Sequence, residues 1–556
     1  MLKPTLLHSS WEGRVFSKNE EHNQTKMFTA VDQLPHTARK KLEASWASVF
    51  YEEFFRRLDE GVFSVLYSEK KSRPNTPVNI LVGFETLKSG FGWSDEELYN
   101  HFLFDLQVRY ALGLRDFDEG YFDLRTLYYF RAALVEYERK YEINLIQQAT
   151  EQITDEQIQQ FQVKTGLQRM DSTQLQSNIR KMSRLQLLVE IIHRLYRILG
   201  EEDKKRCDSL FCSYVKEDSL HYCYRVARDE VEGRLQQIGI DLAALVETLE
   251  SAYGHEQAYQ DAGRVFGEHF RWEEGAITIK TGKELSGSTL QSPDDREATY
   301  RKKSGEAARG YVANIAETCD SDNELQLITA MSVQPNVTDD QKLLAGDLSR
   351  LDERTDINKV ITDAGYTGPT AAEALESHQV EQKTSAIKGR KKETDTIGLE
   401  AFEIIRDDNG KVTAVECPQG HPAEVRDGRA IGRYSAGFDG IGCEGCPLRD
   451  RCPTKPLKKR NLYVYRFCDT DVRVAQQRRQ LAESGKEAVN LRASVESTVR
   501  SVIHPFGGHL CKMPVRGKAR VTTMAVLSGA MVNVRRITHY LFPKDRIVGP
   551  LRPETI

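Results

Sequence analysis

One acidic residue stands where a metal ligand is expected. Asp363 closes the short apolar run 360–362, and Gly365 follows two residues later, which predicts a strand that ends in a turn. A buried strand ending in a carboxylate can present a ligand for a hard metal ion at the edge of a sheet. The alternative is structural, because an Asp here can also cap the helix predicted to begin near Pro369. Taken alone, the residue fits both interpretations about equally well.

Two further segments carry an acid. Residues 167–175 read Leu-Gln-Arg-Met-Asp-Ser-Thr-Gln-Leu and contain Asp171, and residues 492–500 read Arg-Ala-Ser-Val-Glu-Ser-Thr-Val-Arg and contain Glu496. Together with the segment around Asp363, they resemble the Asp, Asp and Glu segments of bacterial insertion-sequence transposases of the DDE type. Residues 72–83 and 109–113 resemble the amino-terminal helical domain of the same branch. The resemblance therefore extends, with gaps, from about residue 60 to residue 540.

The resemblance implies an α/β, RNase H-like catalytic core with acids on its first and fourth strands and a third acid on a later helix. It implies that Asp171, Asp363 and Glu496 are catalytic and bind two Mg²⁺ (or Mn²⁺) ions. Two such ions, about 3.5–4 Å apart, serve phosphodiester transfer. Clustered carboxylates repel one another, so the three acids would need bound cations. Each acid taken singly could also be a solvated surface residue.

A rival exists for the first acidic position. The stretch 292–298, which contains Asp295, also resembles a family segment and lies nearer in sequence to the strands predicted after residue 310. We favour Asp171, because residues 170–173 resemble the acid-small-Thr turn that ends the first strand in this family. Asp295 is then expected to hold the scaffold or to contact DNA.

Basic residues cluster near the carboxyl-terminal end. Residues 492–540 contain eight Lys and Arg, including Arg535 and Arg536, against the single acid Glu496. Counterion release favours clustered cations on phosphates, although a charge run is also typical of a solvated face. In the resembling transposases an Arg matching Arg492 grips the transposon-end phosphate, whereas the Lys expected seven residues after the Glu is Ile503 here. We assign DNA binding to Arg492, Arg500, Lys512, Arg516, Lys518 and Arg520.

Four cysteines predict a second metal site. Cys417, Cys443, Cys446 and Cys452 have the spacing Cys-x25-Cys-x2-Cys-x5-Cys, in a segment with strand-like patterns. Thiolates at such spacing can enclose a structural Zn²⁺ in a small domain without a large core, and His421 is a spare ligand. Unliganded thiols are the alternative, because disulfides are not expected in a cytoplasmic chain. Related transposases often carry a Cys cluster at this place.

Composition limits the class of protein. A chain of 556 residues is too long for one core, and its hydrophobic content of 39% indicates folded domains. The formal net charge of −4 means that a DNA-binding surface must be local. We predict no signal peptide, and no run reaches the roughly 18 apolar residues of a membrane span. We expect a cytoplasmic protein that acts on double-stranded DNA, without membrane contact, as a homodimer or higher synaptic assembly.

Helical and strand periodicity, together with the resemblance, divide the chain into five units. Start signals at Pro77, the capping box Ser94–Glu97 and Asp123 favour short amino-terminal helices, and the turn 407–410 predicts a β-hairpin. A plain helical bundle is the alternative to a helix-turn-helix-like unit. We predict an amino-terminal extension at 1–60, a helical DNA-binding domain at 61–160, a catalytic core from 161–180, 295–377 and 481–545, a helical insertion at 181–294, and a β-rich zinc-binding insertion at 378–480.

Three functions are compatible with these residues. The first is a DDE transposase that binds terminal inverted repeats, cleaves DNA and transfers the 3′-hydroxyl strand to a target. The second is a catalytically inactive, domesticated regulator that binds DNA. The third is an RNase H-like nuclease without strand transfer. An intact acidic triad favours the first.

Overall fold

The computed structural model describes residues 14–543, apart from positions 25, 27, 69–73, 304, 385–395, 408–409, 458–460 and 511. The side chains of residues 480, 481 and 483–493 are also outside the described set. The described residues form a mixed α/β structure, in which helices cover both faces of a mixed sheet.

The amino-terminal part is a bundle of helices. Its helices are α1 (His36–Glu43), α2 (Trp46–Phe50), α3 (Val78–Phe91), α4 (Asp95–Phe104), α5 (Leu106–Ala111), α6 (Leu124–Tyr141) and α7 (Leu145–Gln160). Helix α3 is its centre, since residues 78–90 are all buried. The predicted capping box is present, because Ser94 and Glu97 each accept a hydrogen bond from the other's backbone N–H. Asp123 caps α6 as predicted.

The remaining elements follow in chain order. They are β1 (Leu167–Gln176), α8 (Arg184–Ile198), α9 (Glu201–Arg206), α10 (Asp208–Phe211), α11 (Ser219–Tyr224), α12 (Val231–Tyr253), α13 (Gln257–His269), β2 (Phe270–Glu273), β3 (Ala276–Ile279), β4 (Thr299–Lys303), β5 (Glu306–Thr318), β6 (Ile328–Pro335), α14 (Asp340–Arg354), β7 (Lys359–Thr362), α15 (Pro369–Ser377) and β8 (Glu381–Thr384). Then come β9 (Glu403–Arg406), β10 (Val412–Glu416), β11 (Pro422–Asp427), β12 (Arg433–Asp439), α16 (Gly440–Glu444), β13 (Lys455–Pro456), β14 (Leu462–Cys468), α17 (Asp469–Ile503) and α18 (Lys518–Leu541).

Strand β1 lies at the centre of the main sheet. It is antiparallel to β5 and parallel to β7, which is itself parallel to β8. Strands β6 and β4 both pair with β5 in antiparallel fashion, so the order is β6-β5-β1-β7-β8, with β4 extending one end of β5. Helix α14 connects β6 to β7, and α15 connects β7 to β8.

Each face of the sheet packs against its own helices. One face buries Met170 of β1 with Leu344 of α14 and Tyr366. The other buries Leu175 of β1 with Val502 of α17 and residues of α18. Because side chains alternate along a strand, neighbouring residues of β1 serve opposite faces. The sheet is therefore enclosed on both sides, as expected for strands with continuous apolar runs.

Two segments outside the sheet have cores of their own. Helices α8–α13 and the hairpin β2–β3 surround a cluster that includes Leu188, Ile192 and Leu242. Strands β9–β14 form a second six-stranded antiparallel sheet, whose core includes Phe402 and Phe438. The hairpin predicted around 407–410 lies between β9 and β10, although positions 408 and 409 lie outside the described residues.

Two expectations differ from the structure. Asp171 does not end the first strand, because β1 continues to Gln176 and pairs with β5 along this whole length. Helix α17 begins at Asp469, inside the segment predicted as the β-rich insertion, because Val472 and Ala475 of its first turns are buried in the core of the second sheet. Residues 78–90 of helix α3 are all buried, so this helix forms the centre of the amino-terminal bundle. The described helices lack the combination of length and hydropathy that a membrane span requires.

Candidate active site

The first two predicted acids lie side by side. The parallel register between β1 and β7 ends at the pair Arg169–Ile361. Asp171 lies two residues after Arg169, and Asp363 lies two residues after Ile361. Strands that run in parallel and in register therefore deliver the two carboxylates to neighbouring positions at the same edge.

Asp363 has a local structural role as well. Its Oδ1 accepts a hydrogen bond from the backbone N–H of Gly365 at 2.7 Å, which caps the short 3₁₀ turn Ala364–Tyr366. It does not cap α15, whose first turn follows Gly368. The cap fixes one carboxylate oxygen of Asp363 at the turn.

A third carboxylate, from Asp340 at the start of α14, joins the two predicted ones. Asp340 is only 3% exposed, and its Oδ1 accepts a hydrogen bond from the Ser172 hydroxyl at 3.0 Å. A Cβ placed on Gly365 would lie 2.5 Å from Oδ2 of Asp340 and 2.9 Å from Oδ1 of Asp363. The two side chains can approach the turn this closely because residue 365 has no side chain.

Tyr366 marks the centre of this group. Burial raises the pKa of Tyr366 well above its usual value, and the charges of Asp171, Asp340 and Asp363 raise it further. Its hydroxyl donates to Asn314 at 2.6 Å and stays neutral. Sequence reasoning missed Asp340, because Asp339 and Asp340 together look like an ordinary helix start. We name Asp171, Asp340 and Asp363 the acidic group.

Glu496 lies on the helix that crosses the same strands. Helix α17 contacts β1, β7 and β8. Its residues Val495 and Thr498 are buried against the sheet, whereas the side chain of Glu496 is exposed. No three Asp, Glu, His or Cys side chains among the described residues are arranged to hold a metal ion. The strand register thus places Asp171 and Asp363 at neighbouring positions, but the described side chains do not bring Glu496 into a ligand arrangement with them.

Helix α17 is fixed to the sheet by a buried ionic network. Glu317 of β5 is fully buried and pairs with Arg169 of β1 at 2.7 Å and with Arg536 of α18 at 2.7 Å. The hydroxyl of Thr498 also reaches Glu317, at 2.8 Å. Arg169 is two residues from Asp171, and Thr498 is two residues from Glu496. The network therefore sets the position of the helix relative to the first strand.

Asp295, the rival first acid, is a structural residue. It is 4% exposed and accepts hydrogen bonds from the hydroxyls of Ser177 and Tyr311. It also accepts one from the backbone N–H of Gly517, at 3.1 Å. These donors come from three separate segments that Asp295 ties together. The surroundings of Asp295 fit the scaffold role expected for it.

The four clustered cysteines line one small cavity in the second sheet. Cys417, Cys443, Cys446 and Cys452 surround it together with His421. Burial raises the pKa of the Cys443 thiol, and the charges of the other three thiols contribute in the same direction. Three of these thiols, those of Cys417, Cys443 and Cys452, pack against the core of the second sheet. The donor set is that of a zinc site, although these side chains do not adopt a ligand geometry.

Comparison with known families decides the class of this region. Residues 416–538 match the transposase DDE domain family. This part of the chain is similar to that domain. The matched residues include the four cysteines and Glu496, while Asp171 and Asp363 lie before them. No curated protein and no solved structure matches the chain. The resemblance to insertion-sequence DDE transposases is thereby confirmed.

The carboxyl-terminal basic residues have different environments. Arg535 and Arg536 are structural, since Arg535 donates to the carbonyl of Gly90 and Arg536 pairs with Glu317. Lys512 and Arg516 donate to backbone carbonyls of Ile179 and Asn178 at 2.7 and 2.6 Å. Of the assigned DNA-binding residues, Lys518 is half-buried at the start of α18, Arg500 and Arg520 are exposed, and the side chain of Arg492 lies outside the described residues.

Proposed function

We propose that the protein is a DNA transposase that binds the terminal inverted repeats of an insertion sequence, cleaves DNA and transfers the 3′-hydroxyl strand to target DNA. The observation that carries the proposal is the neighbouring placement of Asp171 and Asp363 on parallel strands. The family match at residues 416–538 includes the position of Glu496, and it supports the transposase class. The strand order β6-β5-β1-β7-β8, with one antiparallel and one parallel neighbour for β1, supports an RNase H-like core.

Divalent cations fit the residues present at the site. Mg²⁺ and Mn²⁺ prefer carboxylate oxygens, and the acidic group provides these from adjacent elements. Asp171, Asp363 and Glu496 would hold the ions, which activate the attacking oxygen and stabilise the leaving oxygen of a phosphodiester. One carboxylate oxygen of Asp363 accepts the hydrogen bond from Gly365, and the other would bind a metal ion. Glu496 is exposed on a helix that contacts β1 and β7, which supports its proposed role as the third ligand.

Conservative substitutions of the three acids test the proposal. Asp171→Asn, Asp363→Asn and Glu496→Gln remove a ligand charge with almost no change of shape. Each should abolish Mg²⁺-dependent cleavage and strand transfer of a transposon-end duplex while leaving DNA binding intact. Glu353→Gln, an exposed glutamate on α14, is the matched control and should retain full activity. Activity retained by Asp171→Asn but lost by a folded Asp295→Asn would show that the first ligand is Asp295.

The same assay separates the two alternative functions. Binding without cleavage by the unmodified protein would indicate a domesticated regulator. Cleavage without joining of the 3′-hydroxyl end to a second duplex would indicate an RNase H-like nuclease. We expect both cleavage and joining, carried out by a homodimer or a higher assembly on DNA.

We further propose that Cys417, Cys443, Cys446 and Cys452 bind one structural Zn²⁺. Their placement around a single cavity supports this, because thiolates are preferred zinc ligands. Elemental analysis of protein purified without chelator should find about one zinc per chain. Cys443→Ser should lose the metal and destabilise the second sheet, whereas Cys212→Ser in the helical insertion should keep it. A metal-free, fully folded protein would refute the assignment.

A further inference from the structure

A basic strand lies beside the acidic group. Strand β4 carries Arg301 and Lys303 on one face and Lys302 on the other, because side chains alternate along a strand. Nη1 of Arg301 is 3.8 Å from Oδ1 of Asp340, and Nζ of Lys303 is 4.0 Å from Oδ2. Since Asp340 also accepts a hydrogen bond from Ser172, the two cations stand at the edge of the acidic group.

The contacts of the two cations with Asp340 are loose. Both distances exceed the range of a hydrogen bond, so each contact is an ion pair without a shared proton. The Lys303 side chain is 51% exposed. Arg301 has a separate anchor, because Nη1 donates to the carbonyl of Thr338 at 3.1 Å. Lys303 faces solvent, so its side chain can turn towards another anion at small cost, whereas Arg301 keeps its place beside the buried Asp340.

Asp340 explains why the cations gather here. Its carboxylate is buried, and a buried charge requires opposite charge nearby. A DNA strand that approaches the acidic group presents further negative charge, namely the phosphates on either side of the bond to be cut. Asp171 and Asp363 repel those phosphates. Arg301 and Lys303 are the basic side chains of β4 that face this region, and they can offset the repulsion.

We propose that Arg301 and Lys303 bind backbone phosphates of the DNA strand that enters the acidic group, and that Asp340 holds both cations in place before DNA arrives. The inference rests on the proposed function and adds the residues that would guide the strand. The guanidinium of Arg301 is suited to a bidentate contact with a phosphate, and the ammonium of Lys303 to a monodentate contact. Phosphate contacts of this kind are independent of base sequence.

The salt dependence of DNA binding tests the proposal without requiring catalysis. The full-length protein is titrated with a duplex of arbitrary sequence that ends in a free 3′-hydroxyl, in the presence of EDTA, at several salt concentrations. Arg301→Gln and Lys303→Gln should each reduce the slope of log affinity against log salt by about 0.9, and the double variant by about twice that amount. The loss of affinity caused by each substitution should therefore be about 8-fold larger at 0.1 M salt than at 1 M salt. Arg301→Lys should keep the slope.

Lys302→Gln is the matched control, because it removes the same charge from the same strand on the opposite face. Slopes for Arg301→Gln and Lys303→Gln equal to that of Lys302→Gln would overturn the inference. Asp340→Asn should tighten DNA binding, because it frees both cations. Weaker DNA binding by this variant, with an unchanged melting temperature, would also overturn the inference. Absence of DNA binding by the unmodified protein would instead refute the proposed function.

Discussion

The buried network around Glu317 makes a quantitative prediction about Thr498. Glu317 is fully buried, and its two oxygens are shared among Arg169, Arg536 and the Thr498 hydroxyl. Thr498→Val removes that hydroxyl and fills the same volume, so no cavity forms. A hydrogen bond to a charged group contributes about 1.5–3 kcal/mol. We therefore expect Thr498→Val to lower the free energy of unfolding by about 1.5–3 kcal/mol.

Thr522→Val is the matched control for this substitution. Thr522 is also a buried helical threonine, but its hydroxyl donates to the carbonyl of Lys518 within its own helix, at 2.9 Å. Such a local, neutral contact contributes little, so its loss should cost at most about 1 kcal/mol. The two variants thus differ in whether the lost hydrogen bond joins separate elements of the fold.

Urea unfolding of the two variants provides the measurement. The slope of free energy against urea concentration should be unchanged, and the midpoint should fall further for Thr498→Val. Because Thr498 is two residues from Glu496, and Arg169 is two residues from Asp171, the same variant should also slow metal-dependent cleavage while its DNA affinity stays constant. Equal midpoints for Thr498→Val and Thr522→Val would refute the idea that Glu317 fixes α17 to the sheet.

Three further predictions concern single residues. Gly365→Ala places a methyl group 2.5 Å from an oxygen of Asp340 and should slow cleavage about 10- to 100-fold at unchanged DNA affinity, so normal rates would contradict the packing around this turn. Asp295→Asn leaves fewer acceptors for its buried donors and should lower the free energy of unfolding by about 2–4 kcal/mol in a denaturation experiment, whereas unchanged stability would remove its scaffold role. Burial, aided by the charge of Arg184, lowers the pKa of His269 to about 4. The unfolded chain therefore binds a proton at this residue before the folded chain does, as the pH falls from 6.5 towards 4. The free energy of unfolding should drop by about 3 kcal/mol over that range, and His269→Gln should flatten the pH profile of stability.

The sequence predicts those parts of the sheet whose signals are local. Apolar runs gave the strands near 311–318, 325–333 and 359–362, and the structure contains β5, β6 and β7 there. The position of Asp363 at the end of its strand could also be predicted from the sequence, because Gly365 two residues later indicates a turn. The neighbouring placement of Asp171 was not, since β1 continues past this residue and only the register with β7 brings the two acids together.

Other features depend on contacts between distant segments. Asp340 begins a helix, and its sequence setting indicates nothing more than a helix start. Its burial requires Ser172 from β1 and the turn at Gly365. The first turns of α17 are held by distant segments, because Val472 and Ala475 pack in the core of the second sheet and Arg478 and Arg479 bind Glu400. Contacts between distant segments are not visible in the local sequence pattern, so residues 469–480 were assigned to the β-rich insertion.

The packing of α18 changes how DNA recognition by the amino-terminal helices can be tested. Leu527, Met531 and Val534 of α18 belong to the same buried cluster as α3. A Cβ on Gly90 would lie 2.3 Å from Met531, so the two helices pack with almost no space between them. Deleting residues 1–140 would expose this apolar face of α18 and destabilise the helix that also holds Arg536 against Glu317. A loss of DNA binding by that deletion would therefore not identify the recognition residues, whereas substitutions on the exposed side of α6 leave the shared core intact and can do so.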